Sequence, residues 1–323
     1  MSSPDTYTFP CILSKVFTMS RGILVTGATG KQGGATVDDL ISRPHSDFTI
    51  LAVTRNPTSA SANALAAKDK SIKIVKGDMN DAPSLFSAAK ATHPNIWGVF
   101  SVQIPMGKGQ SPESEERQGK ALVDEAIKSG VKQFVYTSVD RHGEQSIHNP
   151  THVPHFISKH NIEKHLIDQA KGTDMNYTIL RPVAFMENFT PDLFGKLFSA
   201  AWRVGMPIDQ PLQFVSTKDI GHVAAHAFRN PEAYRNRALS LAGDELTYAQ
   251  LNQVFKDKTG KGVPTTFGFL GSGLLWGVKE MGTMMDFFRD TGLAADIPAL
   301  RKEFPGLKNL GDWIEKDSAF ARK

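Results

Sequence analysis

The chain has 323 residues, 40% of them hydrophobic, enough to bury a sizeable core as two domains or as one large α/β domain with an appended lobe. Charged residues make up 22% and the net charge is +4 without a dense Lys/Arg run, so no nucleic-acid partner is expected. Cys11 is the only cysteine, which excludes an intrachain disulfide and a thiolate metal site; a reducing compartment is expected, the cytoplasm with the nucleus also open.

The longest apolar stretch, residues 267–276, is too short and too Gly-rich to span a bilayer, and no membrane partner is expected. Residues 1–20 carry Pro4, Asp5 and Pro10, with no basic region leading into an apolar run. They do not read as a secretory signal and are expected to be a disordered extension, or the product of a start codon upstream of Met19.

From residue 22 the chain alternates. Residues 22–26 form a short apolar run ending in glycine and predict a buried parallel strand. Residues 32–43 place Val37, Leu40 and Ile41 on one helical face, with Pro44 as the stop. Strands follow at 48–54, 72–75, 97–102, 131–138 and 177–181, the last stopped by Pro182. Helices between them are predicted at 59–68, 82–92, 113–129 and 156–171, the last two closed by Gly130 and Gly172.

Such alternation means βαβ units, and right-handed crossovers wind them into a doubly wound parallel sheet, an α/β fold of the Rossmann type. Residues 21–182 are expected to form this dinucleotide-binding domain. Beyond Pro182, Phe, Met, Gly and Pro become frequent, and residues 183–323 are expected to form a smaller α+β lobe for a substrate or partner. Within it, a strand at Phe214 and a helix started by Asp219 predict that the segment near 212–228 returns to the main domain.

The strongest chemical signal is Gly27-Ala28-Thr29-Gly30-Lys31-Gln32-Gly33, set between a strand and a helix. The first glycine permits a tight turn, the second lets backbone approach a pyrophosphate, and the third allows close helix–strand packing. The helix N-terminus then faces the anion. The second strand ends in Arg55-Asn56-Pro57 rather than in the acid that holds a ribose diol. A guanidinium pairs with a 2′-phosphate, so NADP is favoured over NAD. Asp78, after the third strand, either faces adenine or serves its own turn.

These residues resemble the short-chain dehydrogenase superfamily and, within it, the atypical NmrA-like group. Arg181-Pro182-Val183-Ala184-Phe185-Met186-Glu187-Asn188 is similar to that group's R-P-x-x-F-M-E-N segment. Asp219-Ile220-Gly221 and residues 304–315 resemble its later elements, and the likeness covers about residues 21–317. It implies further NADP contacts: Asn56 beside Arg55 at the 2′-phosphate, Asp78 and Met79 at adenine, and Val102, Gln103 and Ile104 on the nicotinamide side. It also implies Lys159 at the nicotinamide ribose, Phe185 to Asn188 closing over that end, and a basic residue at Arg117.

Members of the superfamily carry a Tyr-x-x-x-Lys pair, in which the Lys lowers the Tyr pKa and the Tyr passes a proton to the substrate. Here the stretch is His155-Phe156-Ile157-Ser158-Lys159, and Ser138 stands at the place of the usual serine. Lys159 is either the acid/base, as in atypical relatives, or only a ribose ligand. His155 is a proton donor, an inert residue, or a metal ligand with His148 and His152; no metal is expected overall, since Pro150 and Pro154 interrupt a helix there. The Met- and Phe-rich stretch from Phe267 to Phe288 is either core or a substrate or partner surface. Two functions follow: an NADP-dependent oxidoreductase of a small organic substrate, or a non-catalytic NADPH/NADP sensor acting on a regulatory protein partner, as a monomer or homodimer.

Overall fold

The computed structural model describes residues 20–42, 47–107 and 109–321. The expectations for residues 1–19 and for the helix stop at Pro44 lie outside the described residues. The first half runs β1 (Arg21–Val25), α1 (Lys31–Ile41), β2 (Phe48–Thr54), α2 (Ala60–Ala66), β3 (Ile72–Lys76), α3 (Ala82–Thr92), β4 (Ile96–Ser101), α4 (Pro112–Lys128), β5 (Gln133–Thr137), α5 (Pro154–Ala170) and β6 (Asn176–Pro182). The second half adds β7 (Ala184–Phe185), α6 (Leu193–Gly205), β8 (Leu212–Val215), α7 (Thr217–Arg229), β9 (Arg237–Leu241), β10 (Asp244–Leu246), α8 (Tyr248–Thr259), α9 (Gly268–Gly277), α10 (Lys279–Asp290), α11 (Ile297–Glu303) and α12 (Leu310–Lys316).

Seven strands make one parallel sheet in the order β3-β2-β1-β4-β5-β6-β9. Strand side chains alternate between faces, and the core divides accordingly. Ile23 and Val25 of β1, with Ile50 and Ala52 of β2, join α1 and α7 on one face. Leu24, Leu51 and Val53 join α3, α4 and α5 on the other. A third cluster fills the lobe, where Phe189, Phe198, Trp202, Phe214, Phe255 and Trp313 pack around a small sheet, β10-β8-β7.

Three local details differ from the sequence reading. Pro154 does not interrupt a helix; it is the first residue of α5, where its missing N–H costs nothing. The α7 helix starts at its cap Ser216, whose side chain accepts from the Lys218 amide, while Asp219 in the first turn pairs with Lys308 at 2.8 Å. Pro182 belongs to β6 and pairs with Leu241 of β9, a seventh strand that the alternation in the sequence did not announce.

Candidate functional site

The sheet order reverses between β1 and β4, and a crevice opens there beyond the carboxyl ends of the strands. Thr26 ties the two ends together: its Oγ1 accepts from the Val102 amide at 2.8 Å and donates to the Val102 carbonyl at 3.0 Å. Gly27 follows at φ +58°, and a Cβ there would lie 2.8 Å from Val102 Cγ1. A Cβ on Gly33 would lie 2.3 Å from the Gly27 carbonyl oxygen. Gly30 caps α1 without a side-chain bond, and the first turn carries no acid. The amides at the start of α1 therefore form an uncompensated positive end.

A cavity of about 480 Å³ lies over this loop, lined by Gly27, Thr29, Gly30, Arg55, Asn56, Asp78, Met79 and Ile104. Arg55 is exposed on its rim. Asn56 Oδ1 accepts from the Thr58 amide at 3.2 Å and the Thr58 hydroxyl at 2.9 Å, fixing the β2 exit loop. Asp78 Oδ1 accepts from the backbone and side-chain N–H groups of Asn80 at 2.9 and 3.0 Å, a turn-forming role. Arg117 reaches this rim only through Asn80, donating to its Oδ1 at 3.2 Å.

A second cavity, of about 310 Å³, continues over β5 and β6 and shares Ile104 and Met106 with the first. Its outer wall is apolar: Phe194 and Phe198 from α6, and Met281, Met284 and Phe288 from α10. Its inner wall holds Gln32, Gln103, Ser138, His155, Lys159, Phe185 and Asn188. Ser138, His155 and Lys159, separate in sequence, thus converge on one space.

Lys159 does not stand alone there. Its ammonium lies 2.6 Å from Glu115 Oε1, a carboxylate wholly buried between α4 and α5, and Ser158 Oγ donates to the other oxygen. Burial of His155, and after it the Lys159 charge, lowers its pKa to about 4. The imidazole is therefore neutral at pH 7. Its Nδ1, like Gln103 Oε1, is buried without a partner among the described residues.

Ser138 Oγ accepts from Arg141 Nη1 at 3.2 Å. Arg141 in turn shares the buried Glu163 with Arg181, at 2.9 and 2.7 Å. Burial alone would raise the Glu163 pKa; Arg141 and then Arg181 outweigh it and hold the carboxyl below its usual range. Through its bond to Ser138, Arg141 connects this buried triad to the wall of the second cavity.

Other residues named from the sequence line neither of these two cavities. Ala28 is core, Lys31 donates to the Glu187 carbonyl at 3.1 Å, Pro57 sits in the β2 exit loop, and Val102 packs on Gly27. Met186 is buried in the lobe core. The Glu187 carboxylate accepts from the Thr217 amide at 3.0 Å and from Trp313 Nε1 at 3.2 Å, pinning the start of α7. His148 and His152 are exposed while His155 is buried, and no group of three possible ligands gathers around a metal position among the described residues. The Met- and Phe-rich stretch divides: Met281, Met284 and Phe288 face the cavity, whereas Phe267, Phe269 and Trp276 face solvent.

Glu115 and Gln118 are site residues that sequence reasoning missed. Glu115 lies under the second cavity, and Gln118 lines the first and donates to Asn80 Oδ1 at 3.0 Å. They stand three apart on α4, both buried, and that polar pair on an inward helical face was the signal available.

The NmrA-like family model matches residues 19–294. The chain belongs to the NmrA-like family. The NmrA-like family domain-containing oxidoreductase cpsB of Aspergillus campestris is 27% identical over 317 residues, covering 90% of this chain and 91% of its own length. Among solved structures, the NADPH-dependent quinone oxidoreductase QOR2 of Escherichia coli, complexed with NADPH, aligns with TM-score 0.65 at 23% identity, over 91% of this chain and 98% of that one. The Citrobacter triphenylmethane reductase, complexed with NADP(H), gives 0.68 at 19% identity, over 92% and 99%. NmrA, a negative transcriptional regulator, in complex with NADP, gives 0.65 at 15% identity, over 93% and 96%. These likenesses establish the Rossmann-type fold.

Proposed function

We propose that this protein binds NADP(H) along the carboxyl edge of its sheet and is an oxidoreductase of a small, largely apolar organic substrate. The observation that carries the reading is the continuity of the glycine cradle with an apolar cavity that contains Lys159. The residues fit the cofactor: a Cβ at Gly27 would strike Val102 and one at Gly33 the Gly27 backbone, so only glycines let the loop fold this tightly, and the uncapped start of α1 suits a pyrophosphate. Arg55 and Asn56 would hold the 2′-phosphate, Asp78 and Met79 would flank adenine, and Gln103 would use its unpartnered oxygen at the nicotinamide end. When bound, the nicotinamide supplies or accepts the hydride.

The protein's own part is to position and to manage a proton. Phe194, Phe198 and Met284 exclude water from the substrate. Lys159, held by Glu115, offers its ammonium to a developing negative charge on the substrate and acts as the acid/base. His155, neutral at pH 7, would offer its unpartnered Nδ1 to the bound substrate as a hydrogen-bond partner rather than act as the proton donor. The names of cpsB, the quinone oxidoreductase and the triphenylmethane reductase support this reading.

The test is a fluorescence titration with NADPH and NADH, then cofactor oxidation against quinones, enones and imines. Arg55→Asp weakens NADPH binding about tenfold to a hundredfold more than NADH binding, as expected for a lost charge-assisted pair; equal losses refute the 2′-phosphate assignment. Turnover abolished in Lys159→Ala supports the acid/base role.

One observation favours a second reading, a redox sensor acting on a protein partner. The usual tyrosine hydroxyl is replaced by the buried, neutral His155, and the fold is shared with a transcriptional regulator. Tight NADPH binding without turnover, together with different protease sensitivity in NADPH and NADP⁺, would support it.

A further inference from the structure

Exposed large apolar side chains are concentrated in one place among the described residues. Ile104 and Met106 flank the two cavities; the rest belong to residues 193–208 and 267–278, including Leu193, Phe194, Ile208, Phe267, Phe269 and Trp276. Trp276 is 91% exposed, and the rings of Phe267 and Phe269 stack at 5.7 Å facing solvent. The α9 helix has no charged residue. Its inner side closes on α6, with Gly271 against the backbone of Ala200 and Ala201 and Leu275 against Gly205. Its outer side is apolar and uncovered. A helix apolar all round is ordinarily buried, and an exposed patch of this kind marks a contact surface.

We propose that the α6–α9 face docks on an anionic membrane surface. The charges choose this occupant over a second copy of the chain. Residues 193–208 and 261–279 contain Lys196, Arg203, Lys261 and Lys279, all exposed, and no acid; Asp192, Asp209 and Glu280 adjoin their ends. Two such faces opposed would set like charges against each other, whereas acidic headgroups neutralise them. With ten residues, α9 is too short to cross a bilayer and lies in the interface, aromatic side chains down. The absence of a spanning segment, which made a membrane partner unexpected from the sequence, does not bear on such a surface helix.

Phe194 belongs both to this face and to the wall of the second cavity. The cavity mouth therefore opens at the docked surface, where a bilayer-dissolved substrate enters. That delivery role rests on the oxidoreductase reading; the docking does not.

The experiment is co-flotation of the full chain with vesicles of phosphatidylcholine alone and of equal parts phosphatidylcholine and phosphatidylserine. Binding to the anionic vesicles is expected, weakened by salt. Replacing Phe267, Phe269 and Trp276 together by serine reduces partitioning at least ~tenfold. Lys261→Gln and Lys279→Gln each reduce it about fivefold. The thermal midpoint of each variant, measured alongside, shows that it folds. No flotation of the wild type, or flotation that the triple variant retains, overturns the proposal. So does a wild-type dimer that fails to float and that the triple variant dissociates, which assigns the face to self-association. NADPH titration of the same variants reports on the cofactor reading separately.

Discussion

The two cavities along the carboxyl edge are made of different material. The first is built from backbone: a glycine loop, the uncapped start of α1 and the turns after β2 and β3. The second is built from side chains brought from α5, α6 and α10 and braced from below by buried ion pairs. A backbone cradle takes its shape from a few adjacent residues and tolerates little added volume. A side-chain cavity takes its shape from distant residues, so its chemistry depends on partners that do not touch the ligand.

The largest effect is expected in the buried triad behind Ser138. Glu163→Ala leaves Arg141 and Arg181 buried without their shared carboxylate and destabilises the protein by about 3–5 kcal/mol, read from urea denaturation. A loss below about 1 kcal/mol would mean that water or another acid replaces Glu163 readily. His155 produces a smaller effect that appears only in acid. The unfolded chain binds a proton below pH 6.5 that the folded protein refuses until about 4, so stability is present above 6.5 and lost as pH falls through that window. The loss reaches about 3 kcal/mol near pH 4. Stability curves of the wild type and His155→Leu converge on a constant difference above pH 6.5 and shift against each other below it. Parallel curves throughout would show that the imidazole is not desolvated.

The cradle is broken by volume. Gly33→Val forces the Gly27 carbonyl aside and weakens NADPH binding about a hundredfold, close to 2.7 kcal/mol; an unchanged titration would remove the loop from the cofactor site. The smallest effect sharpens the contrast. Glu115→Gln keeps the shape beneath Lys159 but removes the countercharge, lowering turnover about tenfold. NADPH affinity should barely change. Turnover that stays at the wild-type rate would confine Glu115 to packing.

This difference in material also decides what the sequence discloses. Alternating apolar runs and punctuating Gly and Pro residues revealed six strands of the sheet, because each burial pattern is local. The cradle was legible for the same reason: Gly27, Gly30 and Gly33 lie within one turn, and Arg55 stands at a strand end. The Lys159–Glu115 pair depends on how α4 lies beside α5, which no local spacing states. β9 escaped notice because Arg237–Leu241, at the sheet edge, buries only Leu239 and Leu241 and lacks the continuous apolar run of the central strands. Pro154 was misjudged because a proline that breaks a helix and one that begins it look the same until the first turn is seen.

The return of the chain to form β9 has a consequence for how the polypeptide is divided. Residues 237–241 supply the hydrogen-bonding neighbour of β6, and α7 covers α1 on the same face. A gene split after codon 182 would release a fragment whose β6 edge is bare, a template for self-pairing rather than a free-standing domain. The two fragments should instead be recovered together by co-expression, each acting as the chaperone of the other.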